Sequence, residues 1–466
     1  MNKTEPARAV NFHRPTIRSI ARGACFAVLG IALLAAPVSR LAAQSGGKTE
    51  TERPRQVTDE TQAVFNKIWP LIEAKNWEQA IPLLNEVLTK AKPDSYDTAM
   101  ASVILAQVYL QRNTPGGSDY AAAIPLLENV IRLGYHDETR MLDFTFLLAQ
   151  LHNMGGNAAR AEELSLRWLE TAKKWKMESV IFYTSVVLQR AQAKDGKVDK
   201  DAVQKALAIL KKAMLVFPNP TEQLYQVQAI SYQLNNEYDN AADIFEVLVS
   251  KWPKNRQYWQ QLYALYVNSS QPIRAILTLE RAQEQGILDT NKDHLSRVGL
   301  YYNLQRFDRV VDILEKGLKD GSIDDEANNY ELLAAAYQQT YQEFKAIDTY
   351  RRAIAKFPDK AGKYYISITN LYWEMQKYAE ALESIEKGLA AGGLEEQNPG
   401  KLYMFAAYIC FELRKYEHGL ELLDKAKPLI EETQQAKQEF EGLSNSIKDA
   451  IERREKQAAA ASNPKK

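Results

Sequence analysis

Between residues 330 and 358, large and small apolar residues follow the spacing of two consecutive helices. Leu333 and Tyr337 lie four residues apart and therefore share one face of a first helix. Ala346, Tyr350 and Ala353 form the corresponding face of the second helix. A single helical hairpin cannot bury its apolar face, so this unit needs stacked neighbours.

The small residue of the second helix recurs along the chain at intervals of 34, 35, 36 and 35 residues. An aromatic residue stands nine positions before each small residue. This period predicts a right-handed α-solenoid, in which each hairpin contacts only its neighbours. The small residues are Ala241, Ala275, Val310, Ala346 and Ala381, and the aromatic residues are Tyr232, Tyr266, Tyr301, Tyr337 and Tyr372.

These positions resemble the signature of the tetratricopeptide repeat, a helical hairpin of about 34 residues. Pro358 closes the unit because proline has no N–H to continue a helix. Looser copies precede the regular ones, and turn-forming insertions over residues 113–118 and 194–201 lengthen their spacing. The small residues of these earlier copies are Ala80, Ala123, Ala161 and Ala206.

We therefore predict an all-α fold, a right-handed α-solenoid of about ten tetratricopeptide-like hairpins. Irregular repeats are expected over residues 58–220, and regular repeats over residues 221–430. Residues 431–457 are polar with sparse apolar positions, as expected of a helix that caps the open end of the array. The last residues, 458–466, are expected to be disordered.

The chain opens with a basic and then apolar segment. Three arginines precede an apolar run over residues 23–38, and the small residues Ala42 and Ala43 follow it. This is the pattern of a secretory signal peptide over residues 1–43, which implies export to the periplasm. An uncleaved inner-membrane anchor over residues 23–38 is the alternative, although a spanning helix usually needs about 20 residues. The polar residues 44–57 are then a flexible tether.

Charge and cysteine content narrow the possible functions. The 466 residues carry 59 basic and 59 acidic side chains, which gives no argument for nucleic-acid binding. Only Cys25 and Cys410 occur, and Cys410 takes the aromatic position of its repeat, where a small buried residue is expected. The sequence contains no zinc-ligand cluster, phosphate-binding glycine loop or nucleophile elbow. We therefore predict a non-enzyme without a metal, cofactor or small-molecule substrate.

The first helices of such an array line a concave groove that can hold a peptide or a helix. The groove-facing positions of this chain carry mainly amides and aromatic residues, which suit a peptide backbone and its apolar side chains. The lysine and asparagine pair with which some of these repeats hold a terminal carboxylate is not evident, because Ile366 accompanies Asn370. The candidate groove residues are Gln226, Gln233, Gln260, Asn268, Tyr302, Asn303, Glu331, Gln338, Asn370, Trp373, Tyr408 and Phe411.

Residues 258–426 resemble a narrower group, the tetratricopeptide proteins associated with bacterial TonB systems. The most specific pieces are YWQQL at residues 258–262 and the block from KGLKDGSI to YELLAAAY at residues 316–337. Proteins of that group accompany TonB, ExbB and ExbD in energy transfer to outer-membrane transporters. The resemblance implies a periplasmic scaffold that reaches the membrane through its partners or through an uncleaved anchor, and it supplies no catalytic residues.

Two other functions are compatible with the sequence. One is a chaperone-like factor that assists the assembly of envelope or secreted proteins, which would contact many unrelated clients. The other is an enzyme with an unrecognised site. Helical repeats account for nearly all of the chain and leave no segment large enough for a separate catalytic domain, which argues against the enzyme.

Overall fold

The structure is a computed structural model, and it describes most of the chain after the predicted signal peptide. The predicted signal peptide or anchor and nearly all of the predicted tether lie outside the described residues. The described residues are 55–114, 117–192, 197–394, 397–430 and 433–462.

Helices follow one another through the described residues of the first of two compact units, which ends at residue 275. Their bounds are α1 Asp59–Glu73, α2 Trp77–Lys90, α3 Tyr96–Gln111, α4 Tyr120–Leu133, α5 Glu138–Met154, α6 Ala158–Thr171, α7 Met177–Ala191, α8 Lys200–Val216, α9 Glu222–Leu234, α10 Tyr238–Lys251, α11 Arg256–Asn268 and, crossing the end of the unit, α12 Pro272–Glu284. From α1 to α11, each helix packs against the next one. Two short strands, β1 Asn113–Thr114 and β2 Gly117–Ser118, pair antiparallel between α3 and α4.

The described residues of the second compact unit, which begins at residue 276, continue the same pattern. Its helices are α13 Asn291–Asn303, α14 Phe307–Asp320, α15 Ala327–Gln339, α16 Glu343–Lys356, α17 Ala361–Glu374, α18 Tyr378–Ala391, α19 Pro399–Glu412, α20 Tyr416–Ala426 and α21 Gln434–Ser462. Short 3-10 turns lie at Pro358–Lys360 and Lys427–Leu429. From α13 to α21, each helix again packs against the next one. Taken in pairs, α1 to α10 and α13 to α20 are nine packed helical hairpins, α11 and α12 have the order of a further one, and α21 is the capping helix, so the predicted all-α array of tetratricopeptide-like hairpins is confirmed.

The small residues that set the repeat period form the centre of each hairpin. All nine of them, from Ala80 to Ala381, are fully buried. The five first-helix tyrosines, from Tyr232 to Tyr372, are also buried. A small side chain at the centre lets the two helices approach closely, and the tyrosine ring then fills the space beside it.

A left-handed residue forms the turn between the two helices of most hairpins. In the regular repeats it stands five positions before the small residue, as Asn236 and Tyr341 do at φ values of 62° and 57°. The next N–H bonds back to the carbonyl of the first-helix tyrosine, for example Gln342 to Tyr337 at 2.9 Å. This is the six-to-one bond that closes a helix in a Schellman motif. It ends each first helix at the same place relative to its tyrosine.

A tyrosine–carboxylate link joins neighbouring hairpins. The hydroxyl of Tyr337 on α15 donates to a Glu315 carboxylate oxygen on α14 at 3.0 Å, and the Arg352 guanidinium also binds Glu315 at 3.0 Å. Burial, and then the bond to Glu315, raise the pKa of Tyr337 to about 12. The same link recurs with distances of 3.0 and 2.8 Å at Tyr266 to Glu246 and Tyr301 to Glu280.

The capping helix is longer than expected. It runs to Ser462, so residues 458–462, which we expected to be disordered, continue the helix. The reason is a run of alanines at this point, since alanine has the highest helix propensity. Residues 463–466 lie outside the described part of the chain.

Replacing Gly317 with alanine tests the close packing between α14 and the connection that leads to α15. A Cβ at this position would lie 2.5 Å from Cγ1 of the buried Ile323. We expect Gly317→Ala to lower the free energy of unfolding by about 1–2 kcal/mol, because overpacking outweighs the gain in helix propensity. Urea denaturation measures the change. The control is Gly299→Ala, where a Cβ meets nothing within 4 Å and a small stabilisation is expected; a stabilised Gly317→Ala would contradict the packing.

Removing the hydroxyl of Tyr337 tests the tyrosine–carboxylate link. We expect Tyr337→Phe to lower the free energy of unfolding by about 0.5–1.5 kcal/mol, the usual net contribution of one hydrogen bond. Only this one bond is lost, because Glu315 still binds the Arg352 guanidinium. The matched control is Tyr341→Phe, at a tyrosine that is 87% exposed. Equal unfolding midpoints for the two variants would show that the link contributes nothing.

Candidate functional site

Six aromatic side chains form a continuous group in the second unit, which we call the C-terminal aromatic cluster. The Trp373 ring lies 4.9, 5.3 and 5.5 Å, centre to centre, from the rings of Tyr378, Phe405 and Tyr408. The Tyr408 ring stacks on that of Phe411 at 6.5 Å. The sixth member is Tyr416, 5.9 Å from Phe411.

The helical hairpins dictate how these rings meet. Phe405, Tyr408 and Phe411 are spaced three apart on α19, so they share one side of that helix. Trp373 lies at the end of α17, while Tyr378 and Tyr416 open the second helices α18 and α20. The cluster therefore spans two successive hairpins.

A cleft adjoins the cluster, between α19 and the capping helix α21. It has a volume of about 510 Å³. A Cβ at Gly442 would meet no atom within 4 Å, which shows open space on the α21 side. We call this space the C-terminal cleft; its lining residues include Met404, Phe405, Tyr408 and Leu443, with the charged Lys401 and Glu439.

The cluster and the cleft combine apolar surface with polar groups at their edges. Tyr408 is 40% exposed, and Trp373, Phe405 and Phe411 are half-buried. A hydrogen bond with Glu412 raises the pKa of Tyr408, so its hydroxyl remains a donor at neutral pH. Lys401 and Glu439 supply one charge of each sign. The surface can therefore receive an apolar side chain between groups that bind polar or charged neighbours.

The structure brings three of the twelve predicted groove residues into this cluster, namely Trp373, Tyr408 and Phe411. Asn370 is exposed one helical turn before Trp373. That all twelve residues line a single groove stays a prediction.

Other predicted groove residues bind within the array. Glu331 pairs with Lys363 at 2.8 Å and accepts a hydrogen bond from the Tyr364 hydroxyl at 3.1 Å. Gln226 donates to the Tyr258 hydroxyl. Sequence position alone could not separate such hairpin-to-hairpin bonds from free groove positions. Of the rest, Gln233 bonds Gln261 at 3.4 Å, Tyr302 packs on Phe307 at 5.2 Å, Gln338 is half-buried, and Gln260, Asn268 and Asn303 are exposed.

Sequence reasoning missed Tyr378, Phe405 and Tyr416. A signal for two of them exists, because Tyr378 and Tyr416 stand three positions before the small residues Ala381 and Gly419. Other repeats carry an aromatic residue at that position, including Trp77, Tyr120, Tyr238 and Phe307. The contribution of α21 to the cleft had no such signal, since it depends on where the capping helix packs.

Other chemistry is scarce in the described part of the chain. It contains no group of three His, Cys, Asp or Glu side chains placed to hold a metal ion. None of its helices combines the length and apolar character that a membrane crossing requires. Burial raises the pKa of the Cys410 thiol to about 12, so this cysteine is not a reactive thiolate at neutral pH.

The comparison with protein families and the comparison with curated proteins give no match. Similar solved structures include YrrB, a tetratricopeptide protein with an unusual peptide-binding site, at 12% identity over 43% of this chain and 91% of that chain, with a TM-score of 0.31. MamA from Desulfovibrio magneticus RS-1 is 16% identical over 40% of this chain and 94% of that chain, with a TM-score of 0.31. The tetratricopeptide domain of P58(IPK) is 15% identical over 84% of this chain and 99% of that chain, with a TM-score of 0.22. These likenesses are distant, and the assignment of tetratricopeptide-like hairpins depends on this chain's own helix order, buried positions and turns.

Proposed function

We propose that this protein is a non-catalytic scaffold that binds a segment of a partner protein at the C-terminal aromatic cluster and the C-terminal cleft. The observation that carries the proposal is a set of partly exposed aromatic rings beside an open apolar cleft in an array of helical hairpins. Aromatic side chains dominate the binding energy of protein interfaces because they bury a large area with few rotatable bonds.

The ring contacts make this surface preorganised. Trp373 contacts three other rings, so its side chain loses little additional freedom when a partner binds. Partner binding then carries only a small entropic cost for ordering the site. The shape and polarity of the cleft suit a segment that inserts one or two apolar side chains and places polar groups near Lys401 and Glu439.

The proposal also covers the cellular location of the protein and the identity of its partners. We propose that the protein is exported to the periplasm and supports a complex of TonB, ExbB and ExbD. The support is the signal-peptide pattern of residues 1–43 and the resemblance of residues 258–426 to TonB-associated tetratricopeptide proteins.

Site-specific photocrosslinking in cells tests the binding site and the partner together. We expect p-benzoylphenylalanine in place of Tyr408, which is 40% exposed, to crosslink to TonB, ExbB or ExbD. The control places the same probe at Tyr341, which is 87% exposed and lies outside the cluster. Equal crosslinking at both positions would contradict the site. Capture of many unrelated envelope proteins at position 408 would contradict the TonB assignment and favour an assembly factor.

Filling the cleft tests the site without removing any packed side chain. Gly442→Leu directs a larger side chain into the cleft, so we expect the crosslinking yield from position 408 to fall about tenfold, as a cost of about 1.4 kcal/mol implies. Gly299→Leu is the matched control, because it adds the same side chain at a helical glycine that also has open space around it. The site would be wrong if the two variants gave the same yield.

A further inference from the structure

The link between the last two hairpins differs from the tyrosine–carboxylate links before it. In three earlier repeats, the first-helix tyrosine, Tyr266, Tyr301 or Tyr337, binds a glutamate five positions after the small residue of the preceding hairpin. In the repeat just before the last one, Arg351 takes that position and donates to the Tyr372 hydroxyl at 3.0 Å. At the last step Cys410 stands at the tyrosine position, while Glu386 keeps the glutamate position. His418 binds Glu386 in place of a tyrosine, with a distance of 2.5 Å between its Nε2 and a Glu386 carboxylate oxygen.

His418 lies between two carboxylates. Its Nδ1 is 3.0 Å from Glu421, which lies on the same helix, α20. A neutral imidazole has one N–H and can donate to only one of these groups, whereas the imidazolium donates to both. The contact geometry therefore suits the protonated ring.

The other charged groups near this link leave histidine as the titrating member near neutral pH. From α19 the neighbour is the Cys410 thiol, which is neutral because burial raises its pKa to about 12. The positive charge of Lys415, at the turn before α20, partly offsets this rise in the pKa of the Cys410 thiol. From α21, Arg454 pairs with Glu417, one position before His418.

This link connects the two hairpins that carry the C-terminal aromatic cluster. Glu386 lies on α18, which begins with Tyr378, and His418 lies on α20, which begins with Tyr416. The bond between Glu386 and His418 therefore joins the hairpin that carries Trp373 and Tyr378 to the hairpin that carries the other four rings, in addition to the direct ring contacts of Trp373.

We propose that protonation of His418 holds the last two hairpins together and thereby makes partner binding at the C-terminal aromatic cluster dependent on pH. The binding part of this inference depends on the function proposed above. The structural part does not, since it concerns a contact within the chain.

The sign of the effect follows from the charge. The bond to Glu386, and next the bond to Glu421, raise the pKa of His418 above 6.5. The link is therefore complete below pH 6.5, the ordinary value, and is lost as the pH rises through the raised pKa. The tyrosine links do not change over this range, since the pKa of Tyr337 is raised to about 12.

Hydrogen–deuterium exchange of the full chain tests the link without any partner. We expect α20, corrected for the intrinsic exchange rate, to open about two- to fivefold more at about pH 8.5 than at about pH 6, the range for a partly exposed ion pair. His418→Gln should remove this pH dependence. The control is His294→Gln, which removes a histidine paired with Asp289 at 2.9 Å on another hairpin and should leave the response of α20 unchanged. Protection of α20 that is the same at both pH values, or the same pH response in His418→Gln, would overturn the inference.

The fluorescent probe 1-anilinonaphthalene-8-sulfonate tests the effect on the surface itself. We expect the full chain to bind it about two- to fivefold more weakly at the higher pH, and Trp373→Ala to identify the part of the signal that comes from the cluster. A pH-dependent α20 with unchanged dye binding would refute the regulation while leaving the proposed function standing. If position 408 captures no specific partner although α20 responds to pH, the proposed function fails and the contact within the chain stands.

Discussion

The structure depends on one constraint, which is the close approach of two helices at a small residue about every 35 positions. Ala346 and its counterparts, one of which is Val310, are fully buried, and a small side chain at this point lets the two helices approach closely. Once that distance is fixed, the first-helix tyrosine fills the gap beside it and its hydroxyl reaches the carboxylate of the preceding hairpin. Packing inside a hairpin and binding between hairpins therefore share one residue.

The same arrangement produces the candidate site. Aromatic residues that serve as packing elements in the middle of the array become accessible where α19, the first helix of the last hairpin, and the capping helix α21 enclose a cleft. Phe405 and Tyr408 both contact Trp373 and line that cleft. A surface made in this way is rigid because its rings also hold the array together, and rigidity favours recognition of a defined segment.

The fold could be predicted from the sequence because the same spacing of small and aromatic residues recurs along the chain. The period of the small residues identified the hairpins, and the position nine residues earlier identified the buried tyrosines, all of which the structure places in the core. The site was predicted only in part. Trp373, Tyr408 and Phe411, which the sequence placed at groove positions, belong to the aromatic cluster, while Glu331 and Gln226, placed there as well, bond to neighbouring hairpins. Those bonds, like the cleft against α21, depend on the packing of separate helices, which no single repeat specifies.

The measurement that tests the central claim most directly is hydroxyl-radical footprinting of the protein in living cells and in purified form. It needs no knowledge of the partner, because it compares the solvent access of individual side chains. If a partner occupies the C-terminal aromatic cluster, Tyr408 will be modified less in cells than in the purified protein, while Tyr341, 87% exposed and outside the cluster, will be modified equally. Equal modification of Tyr408 in both settings would contradict the account.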